Sequence, residues 1–441
     1  MSSIAPWLSC WPAVVANAWL ACHDPSESDA RAAGDPMAAV VSSAARGQQQ
    51  GQQQQQSPHF GASLGICQVP ETGGSQSCVG RVRGKRVPSQ HSHSNRSLAA
   101  GHLHRSAGGA VDLCFMMVVF QNKIIYMPGL PPNSRRERIA NWASKCGGVQ
   151  WTEERAVAED GIELALAVAT VPLPNGGRPA VAAVKNQPAP AHVYVLYFQG
   201  NASSIPPRLP DLSWTLRAVS DSKTHALAPM ELTFVCLSYR GYWTSRGRPS
   251  EAGLRLDAEA GVRWIAERHE RVFGKVEIGP TKPILLVWGQ SIGSGVAMNL
   301  AATGRIPTGM PIRGLLLETP FVSIRAMLET LYPEKWLPYR YLWPFLRNHM
   351  NNWENLGLIA QASKERGVPS PMVYILEAER DELVPKEQTE NLYRRCVDLG
   401  LTVEKGTAPV AFHQQAIARG DGKKLAAQAL LKMTQSVLKG G

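Results

Sequence analysis

Gly289-Gln290-Ser291-Ile292-Gly293 follows the apolar run Ile284 to Trp288 and leads at once into the small, apolar stretch Ile292 to Thr303. That succession predicts a buried strand, a tight turn and a helix packed closely on the strand. Glycines on both sides of the serine remove the side chains that would collide at so sharp a reversal. The serine is left on a strained corner with its hydroxyl exposed at the end of the strand. A buried strand feeding a helix in this way belongs to an α/β chain with a parallel sheet.

The chain after Gly129 repeats the pattern. Val149 to Val157 and Ile162 to Val171 flank Glu159-Asp160-Gly161 and predict two strands joined by a turn, because Asp-Gly supplies the positive φ that a tight reversal needs. Further strand-like runs are His192 to Phe198, Leu232 to Ser238, Gly314 to Leu317 and Met372 to Leu376. Helical patterns separate them. Ser250 is a plausible N-cap with Glu251 in the first turn, and Leu254, Ala258, Val262 and Ile265 form one apolar stripe. Lys386 to Leu399 and Lys423 to Leu438 complete the set. The expected fold is a mostly parallel sheet with an N-terminal antiparallel hairpin and helices on both faces.

Residues 1–110 read differently and are expected to be a low-complexity, disordered tail, with one folded domain over 111–441. Eight Gln occupy the nine positions 48 to 56, and Gly/Ser/His-rich sequence follows; such composition cannot bury enough apolar surface to offset backbone ordering. His91, His93, His102 and His104 have no acidic or Cys partner nearby and read as a solvated tract, as does the basic cluster Arg81, Arg83, Lys85 and Arg86. Residues 4–21 are apolar, but Pro6 and Pro12 interrupt them and no Lys or Arg precedes them, which argues against a signal peptide. Val111 to Phe120 is about half a membrane span and reads either as the stub of an anchor or as the first buried segment. The net charge of +11 is spread along the chain, without the stripe that nucleic-acid binding requires. Eight scattered Cys show no CxxC pair and no zinc spacing, so reduced thiols in an intracellular setting are expected, with no metal and no cofactor.

A serine alcohol is a poor nucleophile unless a base takes its proton and a carboxylate orients the base. Asp381, after the run Met372 to Leu376, is the expected acid, with Glu379 and Glu382 beside it and Glu318, after Leu317, as a rival. His413 is the expected base, since no other His follows His349. The remaining histidines of the folded part, His192, His225, His269 and His349, are expected in satisfied or solvated roles. Stabilising an oxyanion requires two fixed N–H donors. Ile292, after the serine, and Asn201, in the loop after His192 to Phe198, are the candidates, with Gly289 and Gly293 shaping the turn.

Gln199-Gly200-Asn201-Ala202, Ser238-Tyr239-Arg240-Gly241-Tyr242, Gly247 to Leu254, Gly289 to Gly293, Glu318-Thr319-Pro320-Phe321, Asp381 to Pro385 and His413 occur in one order. In this the chain resembles the α/β-hydrolase-domain serine hydrolases, the group that holds lysophospholipid and acylglycerol hydrolases, protein depalmitoylases and serine-aminopeptidase-like members. The resemblance runs from about residue 115 to the C-terminus and implies an α/β-hydrolase fold and a Ser-His-Asp triad. It departs at Gln199, where the family usually has His, and at Trp243, where it usually has a second Gly. Residues 319–371 are long for a crossover and rich in aromatics, Trp336, Tyr341, Trp343 and Phe345 among them. They read either as a helical cap that binds an acyl chain or as aromatics packed inside a helical excursion.

The expected function is hydrolysis of acyl ester or thioester bonds in a lipid-like substrate, with an S-acylated protein as a macromolecular alternative and a membrane surface as a candidate partner. A serine aminopeptidase-like amidase and a non-catalytic α/β-hydrolase-fold binding protein are the competing readings.

Overall fold

The computed structural model describes residues 114–172, 191–221, 230–274, 283–335 and 341–440. The tail with its histidines and basic cluster, Val111 to Leu113, His225 and Trp336 lie outside these residues.

Strands β1 (Thr152–Val157), β2 (Glu163–Pro172), β3 (Ala191–Phe198), β4 (Met230–Ser238), β5 (Pro283–Gln290), β6 (Ile312–Glu318), β7 (Met372–Ala378) and β8 (Val403–Ala408) form one sheet, in the order β1-β2-β4-β3-β5-β6-β7-β8. β2 pairs antiparallel with both β1 and β4, and every later pairing is parallel. The mostly parallel sheet with an antiparallel N-terminal hairpin is therefore present. At the hairpin, Gly161 takes φ +79°, and the Ala158 N–H donates to the Ile162 carbonyl at 2.8 Å.

Helices among the described residues include α1 (Gln121–Tyr126), α2 (Leu209–Ser220), α3 (Glu251–Phe273), α4 (Ile292–Thr303), α5 (Ile324–Leu331), α6 (Asn352–Arg366), α7 (Lys386–Asp398) and α8 (Gly420–Gly440). Ser250 caps α3 as expected, its hydroxyl accepting from the Gly253 N–H at 3.1 Å. Alternate residues of the central strands feed two apolar layers. Leu285 and Val287 of β5 join Leu254, Val262 and Ile265 of α3, Val296 and Leu300 of α4, Leu356 of α6 and Leu392 of α7. Ile284, Leu286 and Trp288 face the other way, toward Leu209, Leu212 and Leu216 of α2 and Leu430 and Met433 of α8. Burial of a side chain of this size contributes about 1.5–3 kcal/mol, so β5, buried on both faces, is a firmly held platform.

Within 319–371, α5 follows the end of β6, and a short 3-10 turn forms at Trp343–Phe345. α6 then lies against α4 and α7 and returns the chain to β7. No described helix is long and apolar enough to cross a membrane.

Candidate active site

The order β4-β3-β5-β6-β7-β8 brings the carboxyl ends of distant segments side by side. Phe198 of β3 pairs with Gly289 of β5, Gln290 with Glu318 of β6, and Glu318 with Leu376 of β7. Loops after these strands therefore open onto one edge, where open α/β sheets meet their ligands.

Ser291 stands at the end of β5 with φ +50° and ψ −117°, a conformation that costs a non-glycine residue on the order of 1–3 kcal/mol. Its surroundings enforce it. A Cβ at Gly289 would lie 2.2 Å from the Gly293 carbonyl oxygen, and one at Gly293 would lie 2.2 Å from that of Phe198. The Ser291 N–H donates to the Glu318 main-chain oxygen at 2.8 Å.

His413 lies in the turn after β8, and its ring is buried. Nε2 is 2.9 Å from the Ser291 hydroxyl, and Nδ1 is 2.8 and 2.9 Å from the two oxygens of Asp381. A carboxylate can only accept, so Nδ1 carries the hydrogen and Nε2 is left as the acceptor for the serine O–H. Asp381 is itself held: its Oδ1 also accepts from the N–H groups of Leu383 at 3.0 Å and Val384 at 2.8 Å.

The rival carboxylates are engaged elsewhere. Glu318 bonds Arg208 and, at 3.1 Å, the Trp288 indole. Glu379 accepts from the Val410 N–H and Glu382 from that of His413. His192 lies 3.3 Å from Glu231, and His269 is 3.2 Å from the Tyr194 hydroxyl; both sit away from the serine, on the amino-terminal half of β3 and on α3.

In the loop after β3, the Gly200 N–H donates to Gln290 Oε1 at 3.3 Å, that of Ala202 to the Tyr126 carbonyl at 3.1 Å, and that of Ser203 to the Leu130 carbonyl at 2.5 Å. Among the described residues, the N–H groups of Asn201 and Ile292 meet no protein acceptor. A Cβ at Gly200 would lie 3.6 Å from Ser291 Cβ, so this loop passes directly over the serine. Gln199, in place of the usual His, donates through Nε2 to the Ala202 carbonyl at 3.1 Å and so closes the loop on itself. Trp243 takes φ +38°, which explains the glycine usual there. Here the indole is buried, and its N–H donates to the Glu137 carbonyl at 2.8 Å.

Of the expected cap aromatics, Tyr341, Trp343 and Phe345 are 55%, 42% and 59% exposed, with the Arg325 guanidinium 4.1 Å from the Trp343 ring centroid. Burial pushes the Cys396 thiol up to about 12 and raises those of Cys146 and Cys236, so none of these is a thiolate nucleophile at neutral pH. Among the described residues, no group of three or more His, Cys, Asp or Glu is arranged to hold a metal ion. Sequence reasoning passed over Arg208, Tyr197 and Gln414, and gave Gln290 no role beyond the motif. Nothing in the residue pattern marks them, because the sheet alone brings them together.

No protein-family model matches the chain. Protein bem46 of Schizosaccharomyces pombe is 30% identical over 220 residues, 50% of this chain and 58% of its own length. The lysophosphatidylserine lipase ABHD12 of Danio rerio is 35% identical over 210 residues, 46% of this chain and 47% of its own. Protein ABHD12B of Homo sapiens is 32% identical over 178 residues, 40% of this chain and 43% of its own. In sequence and strand order the chain is similar to α/β-hydrolase-domain proteins. The chain spans about half the length of the curated relatives it matches. Among solved structures, an alpha-beta hydrolase from Vibrio vulnificus aligns with a TM-score of 0.45 and 17% identity, over 73% of this chain and 92% of its own.

Proposed function

We propose that this chain is a serine hydrolase that cleaves acyl esters and thioesters of lipid-like substrates. The observation that carries this reading is His413, bonded at once to the Ser291 hydroxyl at 2.9 Å and to Asp381 at 2.8 Å. Ser291 Oγ attacks the substrate carbonyl carbon while its proton passes to His413 Nε2, and the charge formed on Nε2–H is stabilised by Asp381 across the ring. The oxyanion is held by the N–H groups of Asn201 and Ile292. His413 returns the proton to the departing alcohol or thiol, leaving an acyl-serine. Water, deprotonated by the same nitrogen, then releases the acid and restores the hydroxyl. Glycines at 289 and 293 keep the serine on its corner throughout.

The lipid assignment is supported by the ABHD12 relative, whose name is lysophosphatidylserine lipase, and by the family resemblance. Tyr341, Trp343 and Phe345 are the apolar surface assigned to the acyl chain, and an S-acylated protein presents the same bond. Free Cys146, Cys236 and Cys396 support a reducing, intracellular setting. The name of a Saccharomyces cerevisiae relative, an uncharacterized membrane protein, supports a membrane surface as the place where substrate is met.

Ser291→Ala abolishes labelling by a serine-directed fluorophosphonate and turnover of p-nitrophenyl esters while the far-ultraviolet circular dichroism stays unchanged. Across esters from acetate to palmitate, kcat/KM climbs until the pocket is filled, since each buried methylene contributes about 0.8 kcal/mol. Faster turnover of aminoacyl amides would replace this assignment with an aminopeptidase-like one. Labelling that persists in Ser291→Ala would move the nucleophile elsewhere.

A further inference from the structure

Behind the Ser291–His413–Asp381 chain, polar side chains at the carboxyl ends of β3, β5 and β6 form one connected set. Glu318 is fully buried. Its carboxylate accepts from Arg208 Nη2 and from the Trp288 indole N–H, while its main-chain oxygen accepts from the Ser291 N–H. Arg208 closes the short turn Pro206–Arg208 that leads into α2, and its side chain is only 12% exposed. Its Nη1 donates to the main-chain oxygen of Gln414 at 3.1 Å, and its Nε to the Tyr197 hydroxyl at 3.3 Å. Tyr197 donates in turn to Gln290 Oε1 at 3.1 Å, the oxygen that also accepts from the Gly200 N–H at 3.3 Å. Gln290 Nε2 completes the circuit on Gln414 Oε1 at 3.0 Å.

Each terminus of this set adjoins one part of the catalytic centre. Gln414 follows His413, Gln290 precedes Ser291, and Gly200 precedes Asn201. We propose that the Arg208–Glu318 ion pair positions the catalytic centre, fixing the His413 turn against the serine and, through Tyr197 and Gln290, the height of the oxyanion loop. This rests on the hydrolase reading above. Neither partner bonds the serine hydroxyl, the imidazole or Asp381, so both act through their neighbours. The charges are mutually dependent, because removing one leaves the other buried and uncompensated. Arg suits the position because its planar fork reaches Glu318, Gln414 and Tyr197 together, whereas a Lys ammonium is a single point charge on a flexible stem. The gain is catalytic because a misplacement of about 1 Å at reacting groups costs on the order of a hundredfold in rate.

The test compares Arg208→Met, Arg208→Lys and Gln414→Ala with the wild-type full chain on p-nitrophenyl butyrate, with rates expressed per serine titrated by fluorophosphonate. The downfield Nδ1 proton of His413 is followed in parallel by NMR. Arg208→Met lowers kcat per titrated serine on the order of a hundredfold with KM within about twofold, and it shifts or broadens the His413 proton. Arg208→Lys restores part of the rate, and Gln414→Ala loses a few-fold. Unchanged kcat per titrated serine in Arg208→Met, with only a lowered melting temperature, would overturn the proposal by making the pair merely structural. If Arg208→Met does not fold, Arg208→Lys decides: a loss of about tenfold upholds positioning and an unaltered rate overturns it. If the wild-type chain turns over no ester, the hydrolase reading falls by itself. The His413 proton then decides alone, and one left unmoved by Arg208→Lys overturns the positioning role.

Discussion

Four carboxylates compete for His413 in the linear sequence, and the folded chain separates them by what else each can reach. Asp381 meets the imidazole and two N–H groups of its own turn, whereas Glu318 is spent on Arg208 and Trp288. Asp381→Asn therefore favours the wrong imidazole tautomer, and kcat falls about ten-thousandfold. Glu318→Gln keeps the acceptor for Trp288 but loses its charge, and its effect stays at or below about a hundredfold. Steady-state kinetics of the two variants on one ester, side by side, check the ranking. That Ser291 and His413 would be brought side by side was legible from residue type and chain order. Arg208 was not, since its importance comes from three acceptors supplied by separate segments, and no linear spacing encodes them.

At the scale of elements, legibility followed burial. β3 to β7 are continuous apolar runs because helices cover both faces of the sheet, and each was readable. β8 lies at the sheet edge and reads Val-Glu-Lys-Gly-Thr-Ala, mostly half-buried, so no apolar run announces it. α2 was passed over although Leu209, Leu212, Leu216 and Val219 form its buried stripe; Pro210 in its first turn makes the segment look like a loop, yet proline is tolerated there. Elements are also tied by charge. Arg240, after β4, bonds Asp160 in the β1–β2 turn and Asp257 of α3. The hydrogen bond from Arg240 holds the Asp160 carboxyl below the usual range. A lowered folded-state pKa contributes stability above the unfolded value and loses it as pH falls through the folded one. Asp160 is 38% exposed, so solvent screening limits the pair to about 0.5–1 kcal/mol. Urea titrations place Asp160→Asn below wild type by that amount at pH 7, with the gap closing as the solution is acidified below the ordinary aspartate range.

Over the whole molecule, the loop after β3 is anchored outside the sheet. Tyr126 at the end of α1 accepts from the Ala202 N–H, its hydroxyl donates to Asn348 at 2.9 Å, and its ring is buried. A chain beginning at Val111 keeps this anchor and retains full turnover of a soluble ester. One beginning at Thr152 loses it and becomes inactive even where the sheet forms, as fluorophosphonate labelling beside circular dichroism will register. Loss of activity on removing only residues 1–110 would give that segment a structural part in the domain.

The parts of the site are also divided by chain position. Asn201, Ser291 and Glu318 precede the exposed turn Pro333–Lys335, whereas Asp381 and His413 follow it. The two groups are brought together by the pairing of β6 with β7, by α6 against α4 and by Arg208 and Gln290 on Gln414. A nick in that turn would thus yield two polypeptides that are each inert. Mixing them would regenerate hydrolysis at a rate proportional to the product of their concentrations. Recovered turnover would then report the assembly of the two halves.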